Sequence, residues 1–417
     1  MRPSFVRAPL PRSAALAPLL AAVCLFTIVL VACGGSPAAP PTSRPSATAV
    51  SADEVKAMVD TGLTALRRGD LVGWRRALPS RPGAGRKALA ALAAHLAPLP
   101  WDHLSASVEP IPSQPDRFDV HVLGGFAGAG PEDRIVAERV LRVRKVAGTP
   151  TVVGDLSPAG TRIIGVMAFN APRALVAPPA VVLYDSTWRS QAEQVAAAAA
   201  WSRRRLDVIG LRPKQRVLIT LYNSAQQAMG SFGEALTEPR LRFFTIDPLR
   251  WSVKRWSPAD VGVVAPALAG RGAWAPSMLA HEMTHAFTIP WFWNTKFEPQ
   301  FLEEGIAVYV EASRTYAPLR ARLATGSLLQ QLRVSLAIAD LWAGASTGRV
   351  RFEYLEAGAL AGYIIDHWSV DAYRRFSQAF ANSTTSNAAI DQIARRELGV
   401  SWAQFYAGWT QYVSTLP

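Results

Sequence analysis

The hydrophobic pattern of the chain changes period twice. "ADEVKAMVDTGLTALRRGDLVGWRRAL" from Ala52 and "GRKALAALAAHLAPL" from Gly85 carry apolar residues three and four apart, the spacing of amphipathic helices. Short alternating runs follow, "LSASVEPI", "RFDVHVLGGF", "RIVAERVLRVRKV" and "TPTVVGDL", divided by Pro and Gly turns. Helices followed by a strand meander predict a small α+β domain over 52–170. A second unit, 178–417, opens with the strands "AVVLY" and "RVLITLY" flanking a helix from about Thr187 to Leu206, and continues with the strand "DVGVVAPAL". Beyond Pro276 the period is helical to the end, through "PSMLAHEMTHAFTI", "PQFLEEGIAVYVEAS", "PLRARLATGSLLQQLRVSLAIADLWA", "FEYLEAGALAGYIIDHW" and two further segments. The fold class is therefore α+β, with a small mixed sheet and a mostly helical C-terminal lobe in the second unit. The "ALRRGDLVGW" stretch of the first unit resembles cone-shaped, nuclear-transport-factor-like folds.

The N-terminus departs from both patterns. Arg2, Arg7 and Arg12 precede an apolar stretch from about Ala14 to Ala32, with no acidic residue. That is the layout of an export signal, assigned to 1–32 and excluded from the fold. An uncleaved membrane anchor is the competing reading, since the apolar length just permits it. Its end, Leu30-Val31-Ala32-Cys33-Gly34, resembles the bacterial lipobox, which implies lipid on Cys33 and a chain held at the cell membrane on its extracytoplasmic face. Residues 33–51, rich in Pro, Ser, Ala and Thr, read as a flexible tether. Cys24 lies inside the signal and Cys33 at its end, so the body has no thiol for a disulfide or a metal. The formal charge of +13 comes without an arginine-rich run interleaved with aromatics, so nucleic acid is not expected as a partner and an anionic membrane surface is the milder explanation.

Candidate chemistry sits in "HEMTH". On a helix His281 and His285, four apart, share one face, so both imidazoles can reach one ion. Glu282 lies a hundred degrees round the helix and can reach a water on that ion. The pattern alone is common by chance. A catalytic zinc needs a third protein ligand and an open position, and Glu304 stands nineteen residues beyond His285 in "FLEEGIAVYVE". An acidic pair in an apolar helix is costly to bury without a cation, although Glu303 is compatible with a solvent-facing place. Glu311, two helical turns beyond Glu304, is placed to hydrogen-bond a ligating histidine from behind.

These segments resemble the gluzincin metallopeptidases, and most closely the bacterial peptidase MA-like domains. "HEMTH", eighteen intervening residues and Glu304 match the aminopeptidase N-like spacing; "PQFLEEGIAVY", "YLEAGALAGYIIDHW" and "LGVSWAQFYAGW" match the segments that follow, over about 180–413. The resemblance implies a gluzincin-type domain binding one zinc ion per chain through His281, His285 and Glu304. It also implies hydrolysis of a peptide or protein substrate by a zinc-activated water, with Glu282 as general base. It makes Tyr354 a candidate oxyanion donor, although Tyr354 stands four residues before Gly358 where the aminopeptidases have three, so a packed core tyrosine is the equal alternative. Those aminopeptidases grip the substrate amine with a glutamate on a strand whose counterpart here, "GVVAPAL", has no acid; this disfavours an aminopeptidase and leaves edge-strand pairing with an extended peptide. The aromatic loop Trp291, Phe292 and Trp293 reads as packing, pocket lining or membrane contact. The rival function is a catalytically inactive zinc-binding or scaffold lipoprotein.

Overall fold

The computed structural model describes residues 49–129, 134–157, 169–232, 243–246, 260–268, 276–292, 294–296, 299–311, 316–324, 347–383 and 387–417. The expected signal, Cys33 and all but the last residues of the expected tether lie outside the described residues, as does most of the helix expected over 318–343. Among the described residues no helix is long and apolar enough to cross a membrane.

Three helices lead the chain: α1 (Ala52–Arg67), α2 (Leu71–Ala77) and α3 (Ala84–Leu96). Ser51 starts α1 with a capping box, its hydroxyl accepting from the Glu54 amide while the Glu54 carboxylate accepts from the Ser51 amide. Val55, Val59, Leu63 and Leu66 form its buried stripe. The helices pack on an antiparallel meander, β1 (Trp101–Pro110), β2 (Arg117–Phe126), β3 (Arg134–Val146) and β4 (Thr149–Asp155), in the order β1-β2-β3-β4. Phe118, Val120 and Val122 alternate inward along β2 until a bulge at Val122/Leu123 shifts the register.

The second sheet opens at Pro172, six residues before Pro178 where the sequence reading begins its second unit. It contains β5 (Pro172–Ala177), β6 (Ala180–Asp185), β7 (Val217–Tyr222), β8 (Phe243–Ile246) and β9 (Asp260–Val264), in the order β5-β6-β7-β9-β8. The central strands β6, β7 and β9 run parallel, while β5 and β8 pair antiparallel at the two edges. The sheet is mixed, as the pattern predicts. β5 and β8 escape the pattern because edge strands carry weaker alternation than the all-apolar centres of β6 and β7. The α4 helix (Arg189–Val208) packs on this sheet, and α5 (Ala225–Phe232) follows β7.

The helical lobe comprises α6 (Pro276–Thr288), α7 (Gln300–Glu311), α8 (Ala317–Ala324), α9 (Thr347–His367), α10 (Val370–Ala381), α11 (Asn387–Leu398) and α12 (Trp402–Thr415). Pro276 occupies the first helical position of α6, where a missing N–H costs nothing. The lobe's core joins Phe301, Ile306, Leu360, Ile364, Phe376, Phe405 and Trp409. A second core lies under α6, where Leu279 and Met283 meet Val182, Ile219 and Val263 of the sheet.

The α7 and α9 helices cross closely because both carry glycine at the contact. A Cβ on Gly305 would lie 2.6 Å from the Ala357 carbonyl oxygen, and one on Gly358 would lie 2.4 Å from Val308 Cγ1. Tyr373 donates from its hydroxyl to the Leu302 carbonyl and ties α10 to the same region of α7. These contacts fix the face of α7 that carries Glu304 against α6.

Candidate metal centre

A helix that meets solvent on one side has a polar face; α6 has none. Ser277, Leu279, Ala280, His281, Glu282, Met283, Thr284, His285, Ala286 and Thr288 are all buried, between the sheet, α4 and α7. Its two threonine hydroxyls are satisfied within the helix: Thr284 donates to the Ala280 carbonyl at 2.7 Å and Thr288 to the Thr284 carbonyl at 3.0 Å. The histidines turn the other way, toward α7.

His281 Nε2 and His285 Nε2 are 3.1 Å apart. Glu304 Oε2 lies 3.3 Å from His281 Nε2 and 3.4 Å from His285 Nε2. Three donor atoms therefore form a nearly equilateral triangle, and all three residues are buried. A tetrahedral ion with ligands at about 2.0–2.2 Å spaces them about 3.3–3.6 Å apart. The triangle fits such an ion, and the N2O set suits zinc among other first-row metals.

Each histidine has a carboxylate on its far side. His281 Nδ1 is 3.3 Å from Glu311 Oε2, and His285 Nδ1 is 3.4 Å from Glu303 Oε1. An Nδ1–H donated to a carboxylate leaves the Nε2 lone pair for an ion, which fixes tautomer and ring orientation together. Glu311 thus lies where the helical spacing puts it. Glu303 does not face solvent: it is 1% exposed and stands against His285. The signal was in the sequence, since an acidic pair in an apolar helix needs a partner for both members.

The field of the site favours positive charge. Burial opposes protonation of His281, but Glu304 and Glu311 outweigh it and raise its pKa. Burial likewise opposes charge on His285, yet Glu304 and Glu303 push its pKa up to about 10. For Glu304 burial again opposes the charged form, and the two histidines win, holding its carboxyl at about 2. In the absence of a metal, a proton supplies the positive charge that these carboxylates demand.

Glu282 is fully buried on α6 and raises the pKa of His281 through its charge. Tyr354 is 1% exposed on α9, its ring centroid 6.5 Å from that of His281. Glu353 and Glu356, both buried, flank it on the same turn and were not singled out by sequence. Phe292 is buried and Trp291 packs against the helical core, the packing role of the aromatic loop; Trp293 lies outside the described residues. The strand "GVVAPAL" is not an edge. β9 is flanked on both sides, its last residues pass into a 3-10 turn at Ala265–Ala267, and the edge near α6 is β8. His95, His103, His121 and His367 stand outside the cluster, and His367 Nδ1 lies 3.0 Å from the Tyr363 carbonyl within an aromatic group.

Among solved structures the chain is similar to the crystal structure of a mutant M1 zinc metallopeptidase from Deinococcus radiodurans, with 12% identity and a TM-score of 0.29. The alignment covers 75% of this chain and 62% of that one. No protein-family model matches the chain, and the search of curated proteins gives no match.

Proposed function

We propose that the protein is a zinc-dependent metallopeptidase that cleaves peptide bonds outside the cytoplasm, held to the membrane by lipid on Cys33. The observation that carries this reading is the triangle of His281, His285 and Glu304 donor atoms, 3.1–3.4 Å on a side, with a carboxylate behind each histidine. A zinc ion bound there would polarise the scissile carbonyl and acidify the attacking water. His281, His285 and Glu304 hold the ion; Glu311 and Glu303 hold the histidines in the ligating tautomer. The Glu282 carboxylate takes a proton from the attacking water as its oxygen bonds to the carbonyl carbon. The same proton passes to the leaving nitrogen as the C–N bond breaks. The Tyr354 hydroxyl supplies a hydrogen bond to the developing oxyanion. The antiparallel edge strand β8 offers backbone donors and acceptors to an extended substrate.

The test is zinc per chain in the full-length protein beside its His285→Ala, Glu304→Ala and Glu282→Gln variants. The expected result is about one zinc in the parent and in Glu282→Gln, with loss in the other two. Cleavage of a peptide library by the parent and its absence in Glu282→Gln completes the assignment. A well-folded parent that takes up no supplied zinc overturns the reading. Zinc uptake with no cleavage by the parent favours the inactive scaffold instead.

A further inference from the structure

Several of the chain's surface arginines are matched by acids. Arg144 meets Asp116 at 2.7 Å, Arg203 meets Asp207 at 2.9 Å, and Arg395 meets Asp391 at 2.8 Å. The junction of α1 and α2 is different. Arg67, Arg68, Arg75 and Arg76 are all exposed, and among the described residues none pairs with a carboxylate. Between Asp60 and Asp102 the sequence has one acid, Asp70. Asp70 is engaged in capping α2, its Oδ1 accepting from the Gly73 amide at 2.7 Å.

The first turn of α2 exposes aliphatic side chains. Leu71 is 43% exposed and Val72 is 65% exposed, two of the four large hydrophobics that stand out of the described surface. Four-residue spacing stacks Leu71 on Arg75 and Val72 on Arg76; Leu71 stands at the margin of the side that buries Trp74 and Leu78, and Val72 projects farther into solvent. Two exposed aliphatics stacked on Arg75 and Arg76, with exposed Arg68 and Arg67 (whose Nη1 donates to the Asp102 carbonyl at 2.7 Å) at the preceding helix end, have the composition of an interfacial membrane contact: apolar groups for the acyl boundary, cations for anionic headgroups.

We infer that the α1–α2 junction docks the N-terminal domain on an anionic lipid surface, through Arg67, Arg68, Leu71, Val72, Arg75 and Arg76. The length of chain ahead of it is compatible. From Cys33 to Val50 the backbone spans at most about 60 Å, and the 16-residue α1 is about 24 Å long. The end of the apolar segment can therefore lie in the bilayer that this face touches. Tethering raises the local lipid concentration, so a face of modest affinity suffices. Docking rests on the membrane reading of the N-terminus and is independent of the metal centre.

Amide exchange of the full-length protein attached to vesicles tests it. Because the apolar segment attaches the chain to any bilayer, the comparison is phosphatidylglycerol-containing against pure phosphatidylcholine vesicles. Each arginine near an anionic surface changes partition by about five-fold. We expect amides 71–77 to exchange at least five-fold more slowly on the anionic vesicles, with the difference removed by high salt. Arg75→Glu with Arg76→Glu should abolish the slowing while leaving zinc content and unfolding temperature unchanged, and Arg75→Lys with Arg76→Lys should retain it. Equal exchange on both vesicles, or equal slowing in the glutamate variant, overturns the proposal. Slowing by a DNA oligonucleotide and not by vesicles would overturn it in favour of a nucleic-acid face.

Discussion

Glu303 and Glu304 are adjacent in sequence yet serve different histidine nitrogens. Glu304 reaches both Nε2 atoms, and Glu303 reaches only His285 Nδ1. A helix separates adjacent side chains by a hundred degrees, so two neighbours contact one imidazole only because His285 lies between them. Replacing Glu303 by Gln keeps the shape but weakens the hold on the ligating tautomer. Zinc affinity, measured by competition with a chromophoric chelator, should fall about 10–100-fold, and the metal-free unfolding temperature should fall too, because protonated His285 loses one of the carboxylates that stabilise it. Glu311→Gln should behave alike through His281.

The metal-free site also dictates a pH dependence. His285 titrates at about 10 in the folded state against 6.5 in a free imidazole, so its stabilisation is complete below 6.5 and disappears as pH rises to 10. Glu304, held at about 2 against 4.5, stabilises above 4.5 and loses its contribution as pH falls to 2. Zinc bound at this site would displace the histidine protons and gain from their departure. Unfolding scans with and without zinc should show the metal-free protein losing stability above about pH 6.5 while the increment due to zinc grows. A constant increment between pH 6 and 8.5 would refute this electrostatic account.

At the scale of elements, the triangle depends on how α7 lies between α6 and α9. Its glycine follows Glu304 directly because the Ala357 carbonyl occupies the place of a side chain. Gly305→Ala should force the helices apart, costing about 1–3 kcal/mol and moving Glu304 relative to the histidines. Thermal unfolding and zinc stoichiometry should fall together. An unaltered zinc affinity would show that α7 is positioned by other contacts. Helical periods and "HEMTH" were legible at this scale, as were the central strands. The edge strand β8 was not, because four residues beside an interior strand carry too little pattern to distinguish them from a loop.

Across the whole molecule the two sheets are joined by side chains rather than separated. Val181, Leu183 and Leu218 of the second sheet lie in one core with Leu63, Phe118 and Val122 of the first. Arg216 donates from Nη1 to the Ala127 carbonyl at 2.7 Å, and its amide donates to the Gly128 carbonyl at 2.9 Å. Leu218→Ala should cost about 2–5 kcal/mol and, because the core is shared, speed amide exchange in β2 as well as β7. Acceleration confined to β7 would show that the two sheets unfold separately.

The sequence by itself determined the main helices, the central strands and the candidate metal-ligating set, because helical periodicity and the four-residue histidine spacing are local properties of a chain. It also located the acidic pair whose burial requires a cation. Only the tertiary structure decided that Glu303 faces His285 rather than water, that β9 is interior and β8 the edge, and that one core spans both sheets. Each of these depends on which surfaces meet, and that is set by packing between segments far apart in the chain, where local period carries no information.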